Sequence, residues 1–167
     1  MKGLRSAVTL ILLLAGCVLL DSLLRLVGGG AAILDPFLLL TVWHAARGRK
    51  VRAMGVGAVC GLLQDGVGSV VFGVHFLSKV VVGYVVSLAS GRLIPDQPAT
   101  HAALIAGATV LEVAVVAATG FVLGQRLDLR SPGALVASLA VNVVVGWVAF
   151  SVAGQARRRD RSARGFR

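Results

Sequence analysis

Apolar residues run along this chain in six long segments, which short polar or glycine-rich stretches separate from one another. The segments cover residues 4–24, 33–46, 51–67, 74–93, 102–123 and 135–152. Apolar segments near the length that crosses a bilayer predict membrane-spanning helices. The pattern therefore predicts an all-α integral membrane protein with six transmembrane helices.

The composition favours the same class of protein. Hydrophobic residues make up 57% of the 167 residues, charged residues make up 14%, and the mean hydropathy is +0.88. Such a chain has too little polar surface to cover a soluble globule. Residues 1–152 are expected to form the transmembrane domain, and residues 153–167 are expected to form a basic cytoplasmic tail.

The net charge of +10 is distributed unevenly between the two sides of the six predicted spans. Thirteen of the seventeen Lys and Arg residues fall on one side: Lys2, Arg5, Arg47, Arg49, Lys50, Arg52, Arg92, Arg157, Arg158, Arg159, Arg161, Arg164 and Arg167. The other side has Arg25, Lys79, Arg126 and Arg130. The positive-inside rule places the basic side and both termini in the cytoplasm. Because the charges flank membrane spans, they predict contact with anionic membrane lipid and no nucleic-acid partner.

One face of the third segment consists of small residues. Ala53, Gly57 and Gly61 recur every four residues, and Asp65 continues the same face. Small residues at this spacing allow a second helix to approach closely. We therefore expect this face, called the small stripe below, to pack against a neighbouring helix.

The polar pair Gln64 and Asp65 ends the small stripe. Asp65 lies thirteen residues after Arg52, which is about 20 Å along a helix, whereas the hydrocarbon core is about 30 Å thick. The pair is therefore expected at membrane depth. We predict that the helix breaks at this pair and that the Asp65 carboxylate accepts hydrogen bonds from the amides of residues 66–69.

Two further positions predict where helices begin. Asp35 followed by Pro36 is typical of an N-cap and the first helical residue, which marks the start of the second helix. Gly73 precedes the fourth segment and is expected to let the backbone turn there. The glycines at 28–30 predict an outer loop, and residues 94–98, with two prolines, predict a second loop.

Two polar residues fall near the middle of apolar segments. Glu112 lies in the fifth segment, where an ionised carboxylate costs about 3 kcal/mol, so it is expected to be protonated, paired or facing a cavity. It could form a ligand or proton site, or an interhelical hydrogen bond, and the sequence leaves both open. Asn142 lies on a stripe of small and polar residues in the sixth segment, where it is placed to meet Glu112.

No pattern for catalysis, a cofactor or a metal ion is found. His44, His75 and His101 lie in different segments without metal-ligand spacing, and Cys17 and Cys60 have no C-x-x-C partner. The chain is therefore predicted not to be an enzyme. Residues 14–17 are similar to a lipoprotein cleavage motif, but the apolar run continues to residue 24, which favours a span over a cleaved signal.

Residues 61–84 carry a resemblance to a known family. The run from Gly61 to Asp65, the triplet at 73–75 and Tyr84, together with Asp35-Pro36, resemble the rod shape-determining protein MreD family. Asn142 and the basic tail are also similar to the family's C-terminal end. The resemblance implies a non-enzymatic scaffold in the bacterial inner membrane that helps the lateral peptidoglycan machinery maintain rod shape. It implies MreC as partner, with MreB and the RodA-transpeptidase complex as further partners.

The same resemblance implies a fold similar to the S-components of ECF transporters, which keeps a small-molecule carrier subunit open as an alternative function. S-components dock through an Ala-x-x-x-Ala motif on their first helix, whereas Ala7, Ile11 and Ala15 occupy the corresponding row here. This difference argues against transporter coupling. The residues expected to bind a partner or to hold the structure are Pro36, Gly57, Gly61, Gln64, Asp65, Gly73, Glu112 and Asn142.

Overall fold

The computed structural model describes residues 2–27, 33–68, 71–91, 98–124 and 132–164. Within these residues it contains six helices and no strand: α1 (Lys2–Val27), α2 (Pro36–Ala45), α3 (Lys50–Gly68), α4 (Val74–Ser90), α5 (Pro98–Val122) and α6 (Pro132–Arg164). The all-α prediction is confirmed. Three helices are long and apolar enough to cross a membrane, over Ala7–Leu26, Ala99–Val122 and Gly133–Val152.

The shortest helix, α2, lies at the centre of the bundle and contacts all five other helices. Its ten residues extend about 15 Å, half the thickness of a hydrocarbon core. Phe37, Leu38 and Val42 are fully buried. Because α2 is enclosed by other helices on its sides, its surroundings are mostly protein instead of lipid.

The predicted start of α2 is confirmed. Pro36 is the first helical residue, and the Asp35 carboxylate accepts a hydrogen bond from the Leu38 amide at 2.9 Å. Proline suits this position because it has no N–H that would need a partner and its φ angle is already helical. The cap therefore fixes where α2 begins inside the bundle.

The small stripe of α3 packs against α4, as predicted. A methyl group added to Gly57 would collide with the backbone of Lys79, and one added to Gly61 would collide with the backbone of His75. On α4, Gly83 is equally close to the backbone of Ala53. The two helices are thus separated by backbone alone at three successive levels.

Some predicted boundaries are wrong. Helix α3 does not break at Gln64 and Asp65 but continues to Gly68, because the Asp65 side chain bonds to another helix and leaves the backbone of α3 undisturbed. The turn at Gly73 is found where it was predicted, and its φ of +97° is one that glycine adopts readily. Helix α6 continues through residues 153–164 of the predicted tail. The predicted loops at 28–30 and 94–97 and residues 165–167 lie outside the described part of the chain.

Helices α1, α5 and α6 surround this central group. Gly146 of α6 lies so close to Ile105 and Leu39 that an added methyl group would have to displace them. Among the helices as described, α1 contacts only α2 and α3, and it exposes most of the apolar side chains described for it. Its Asp21 and Arg25, four residues apart, form an ion pair at 2.7 Å.

Candidate functional site

Five helices each contribute one buried polar residue to a single group in the interior. We call this group the polar cluster; its members are Asp35 at the start of α2, Gln64 of α3, Lys79 of α4, Glu112 of α5 and Asn142 of α6. A buried polar group is costly unless a partner satisfies it, so each member has to be explained by its contacts.

Lys79 is the only cation of the polar cluster, and its side chain is 0% exposed. Its ammonium group donates hydrogen bonds to Asp35 Oδ2 at 2.7 Å and to Glu112 Oε1. A lysine in this position cannot reach a headgroup or water, so the two carboxylates replace its hydration. The contacts connect α4 to both α2 and α5.

Asp35 makes the largest number of contacts in the polar cluster. In addition to capping α2 and pairing with Lys79, its Oδ2 accepts a hydrogen bond from Gln64 Nε2 at 3.1 Å. Its backbone amide donates to Asn142 Oδ1 at 3.0 Å, and Asn142 Nδ2 donates to Ser138 Oγ at 3.4 Å. One residue therefore links α2 to α3, α4 and α6.

Asp65 lies beside the polar cluster and has a different set of partners. Its carboxylate accepts hydrogen bonds from the amides of Gly73 at 2.9 Å, His75 at 3.1 Å and Phe76 at 3.0 Å. The prediction that it caps residues 66–69 is therefore corrected: Asp65 caps the first turn of α4. Gly73 is the N-cap residue of that helix and has no side chain of its own to satisfy these amides.

We expect Asp65→Leu to destabilise the protein by about 1–2 kcal/mol, because three amides at the partly buried start of α4 lose their acceptor. Asp65→Asn keeps one side-chain oxygen and should lose less. Unfolding of the purified variants in detergent measures both values. Equal stability of Asp65→Leu and the unsubstituted protein would contradict the capping role.

In the polar cluster, Glu112 and Asn142 bind other residues instead of each other. Glu112 is paired, as one of its predicted states requires, and its partner is Lys79, which the charge pattern assigns to the outer side. Asn142 binds the amide of Asp35, so Glu112 and Asn142 join neighbouring parts of the same cluster. Lys79 lies five residues after the first residue of α4. This position could have indicated the ion pair from the sequence, because a cation inside a membrane requires a carboxylate partner.

The other predicted site residues position the polar cluster. Pro36 begins α2 next to Asp35, Gly57 and Gly61 bring α4 to α3, and Gly73 turns the chain into α4. Among the described residues, no group of three or more His, Cys, Asp or Glu side chains is arranged to hold a metal ion.

A sequence model of the rod shape-determining protein MreD family matches residues 5–153, which is most of the chain. This chain belongs to the MreD family. The matched range contains all five residues of the polar cluster as well as Asp65. MreD proteins are membrane proteins with a role in rod shape determination, in agreement with the three long apolar helices. Among curated proteins and among solved structures, none matches the chain.

Proposed function

We propose that this MreD-family chain is a non-enzymatic, multi-pass scaffold in the bacterial cytoplasmic membrane, where it helps the lateral peptidoglycan machinery maintain rod shape. MreC is the proposed direct partner, and MreB and the RodA-transpeptidase complex are proposed members of the same assembly. The observation that carries the proposal is the family match over residues 5–153.

The geometry of the polar cluster supports a scaffold. Lys79, Asp35, Glu112 and Asn142 bind one another through their polar atoms and thereby hold four helices, α2, α4, α5 and α6, in a fixed arrangement. Gly57, Gly61 and Asp65 of α3 are likewise buried, and they face α4. These residues contribute to partner binding by shaping the bundle, while membrane lipid and partner helices contact the exposed apolar faces outside it.

Depletion of the protein in its host tests the function. A scaffold of the elongation machinery predicts that cells lose their rod shape and become round, and that MreC co-purifies with the tagged protein from detergent extracts. The Asp65→Asn variant tests whether the charge of that carboxylate takes part in recognition of MreC. Its co-purification with MreC is compared with that of the unsubstituted protein at equal amounts in the membrane. Normal cell shape after depletion would contradict the scaffold.

A second candidate function is a small-molecule carrier subunit with a fold similar to ECF-transporter S-components. The observation in its favour is Gln64, a residue that is 5% exposed and whose buried Oε1 has no hydrogen-bond partner. The orientation of this amide is set by its Nε2, since a flipped amide would place oxygen against the Asp35 carboxylate. A carrier predicts a defect in nutrient uptake with normal cell shape, whereas the scaffold predicts the reverse.

We further propose that all six helices cross the membrane, with both termini in the cytoplasm. Burial of Lys79 leaves three basic residues on the outer side against thirteen on the cytoplasmic side, which strengthens the charge asymmetry. The short helix α2 can take part because it is enclosed by protein. Reporters fused to either terminus or inserted at residues 47–52 should all report cytoplasm, and a periplasmic signal from the C-terminal fusion would contradict six crossings.

A further inference from the structure

The three charged side chains of the polar cluster do not balance. Asp35 and Glu112 each have a negative charge when ionised, and Lys79 provides one positive charge between them. An excess charge in a low-dielectric interior is unfavourable, so a further positive charge next to the carboxylates would stabilise the group.

His75 is placed to provide this further positive charge. It lies one helical turn before Lys79 on α4. Its Nδ1 lies 3.8 Å from Glu112 Oε1 and, although buried, has no hydrogen-bond partner. The His75 side chain is 27% exposed, whereas that of Glu112 is 10% exposed. The ring therefore connects a buried carboxylate to the surface of the bundle.

The backbone holds His75 in this place. Its amide donates to Asp65 Oδ1 at 3.1 Å, its carbonyl accepts from Ser78 Oγ at 3.0 Å, and the same carbonyl packs against Gly61 of α3. A ring that is anchored at its backbone can respond to a proton with a small rotation towards Glu112.

We propose that His75 and Glu112 form a proton-binding site. A proton taken up by the imidazole places an N–H on Nδ1 that donates to Glu112, and the group then contains two cations and two carboxylates. The site thereby fastens the start of α4 to α5. The protonated state is favoured as pH falls and is lost as pH rises, and imidazole is the side chain suited to exchange a proton near neutral pH.

Charged groups from each neighbouring helix affect this site. Helix α5 provides Glu112, α4 provides Lys79, and α2 provides Asp35 through its contact with Lys79. Helix α3 provides Asp65, whose carboxylate is occupied by backbone amides.

Thermal unfolding of the purified full chain in detergent, between about pH 5 and about pH 8, tests the proposal. The unfolding midpoint should be highest at low pH and fall as His75 loses its proton. His75→Gln and Glu112→Gln should each remove most of this fall. His101→Gln is the matched control, because His101 of α5 lies against Phe150 instead of the polar cluster and should leave the pH dependence intact.

Nuclear magnetic resonance of ring-labelled histidine in the unsubstituted protein gives an independent measurement if a variant does not fold. It should show His75 in the protonated form at low pH and its conversion as the pH rises. A pH dependence unchanged in His75→Gln would overturn the proposal. Full recovery of the high-pH midpoint by sodium ions would also overturn it, since a metal cation would then be the missing charge.

Discussion

Lys79→Met should lower the free energy of unfolding by about 3–5 kcal/mol, one of the two largest effects expected of a single substitution in this protein. Methionine fills a similar volume but leaves Asp35 and Glu112 without the ammonium group that now separates them. Two buried carboxylates would then face each other with no cation of the polar cluster between them. Denaturant or thermal unfolding in detergent measures the loss, and protein abundance in membranes should fall with it.

Two controls separate the charge from the packing. Glu112→Gln leaves Lys79 and Asp35 as a balanced pair and should cost much less than Lys79→Met. The triple variant with Lys79→Met, Asp35→Asn and Glu112→Gln contains no charge in the polar cluster and should recover part of the lost stability. If Lys79→Met unfolds like the unsubstituted protein, the ion pairs do not hold α4 in place.

Gly61→Leu should cause the second large loss, about 3 kcal/mol, because the side chain would enter the space that the α4 backbone occupies. The atoms in its path belong to the backbone of His75 and Phe76, which cannot rotate away, so α3 and α4 would have to separate. The separation would also remove the hydrogen bonds that the Asp65 carboxylate accepts from the amides at the start of α4. Unfolding measurements and the near-ultraviolet circular dichroism of the variant report this change.

Gly55→Leu is the matched control for this substitution. Gly55 belongs to the same helix, but nothing lies within 4 Å of the position where its Cβ would stand. Leucine there should be neutral or slightly stabilising, since glycine lowers helix stability by about 1 kcal/mol. Equal losses at Gly55 and Gly61 would show that helix propensity, and not close approach, determines the result.

Local features of the sequence were sufficient for most of the helices. Asp35-Pro36 marked the start of α2, and the period of four in the small stripe indicated the face that α4 covers. The cap and the small stripe each involve residues that are close together in the chain. The known preferences of a single helix are therefore enough to predict them. The position of Gly73 in the turn is predictable for the same reason.

The polar cluster could not be derived in the same way, because its bonds join residues far apart in the chain. Lys79 is 44 residues from Asp35 and 33 from Glu112, and Asn142 is 107 residues from Asp35. The distribution of charges between the two sides assigns Lys79 to the outer side, although mostly apolar residues precede and follow it in the sequence. The capping role of Asp65 was predictable, but its true amides lie across a turn, 8 to 11 residues ahead.

The contacts of Asp35 have a consequence for biogenesis. When the ribosome has produced α2, only the Leu38 amide is available to Asp35, and the other helices that bind this residue have not yet been made. Lys79 arrives with α4, and Asn142 arrives only with α6. Until then, a ten-residue helix that begins with a carboxylate is poorly suited to lipid. In the proposed six-crossing topology, the α2 segment should therefore reach its final depth only after α6 has been made and has packed against it.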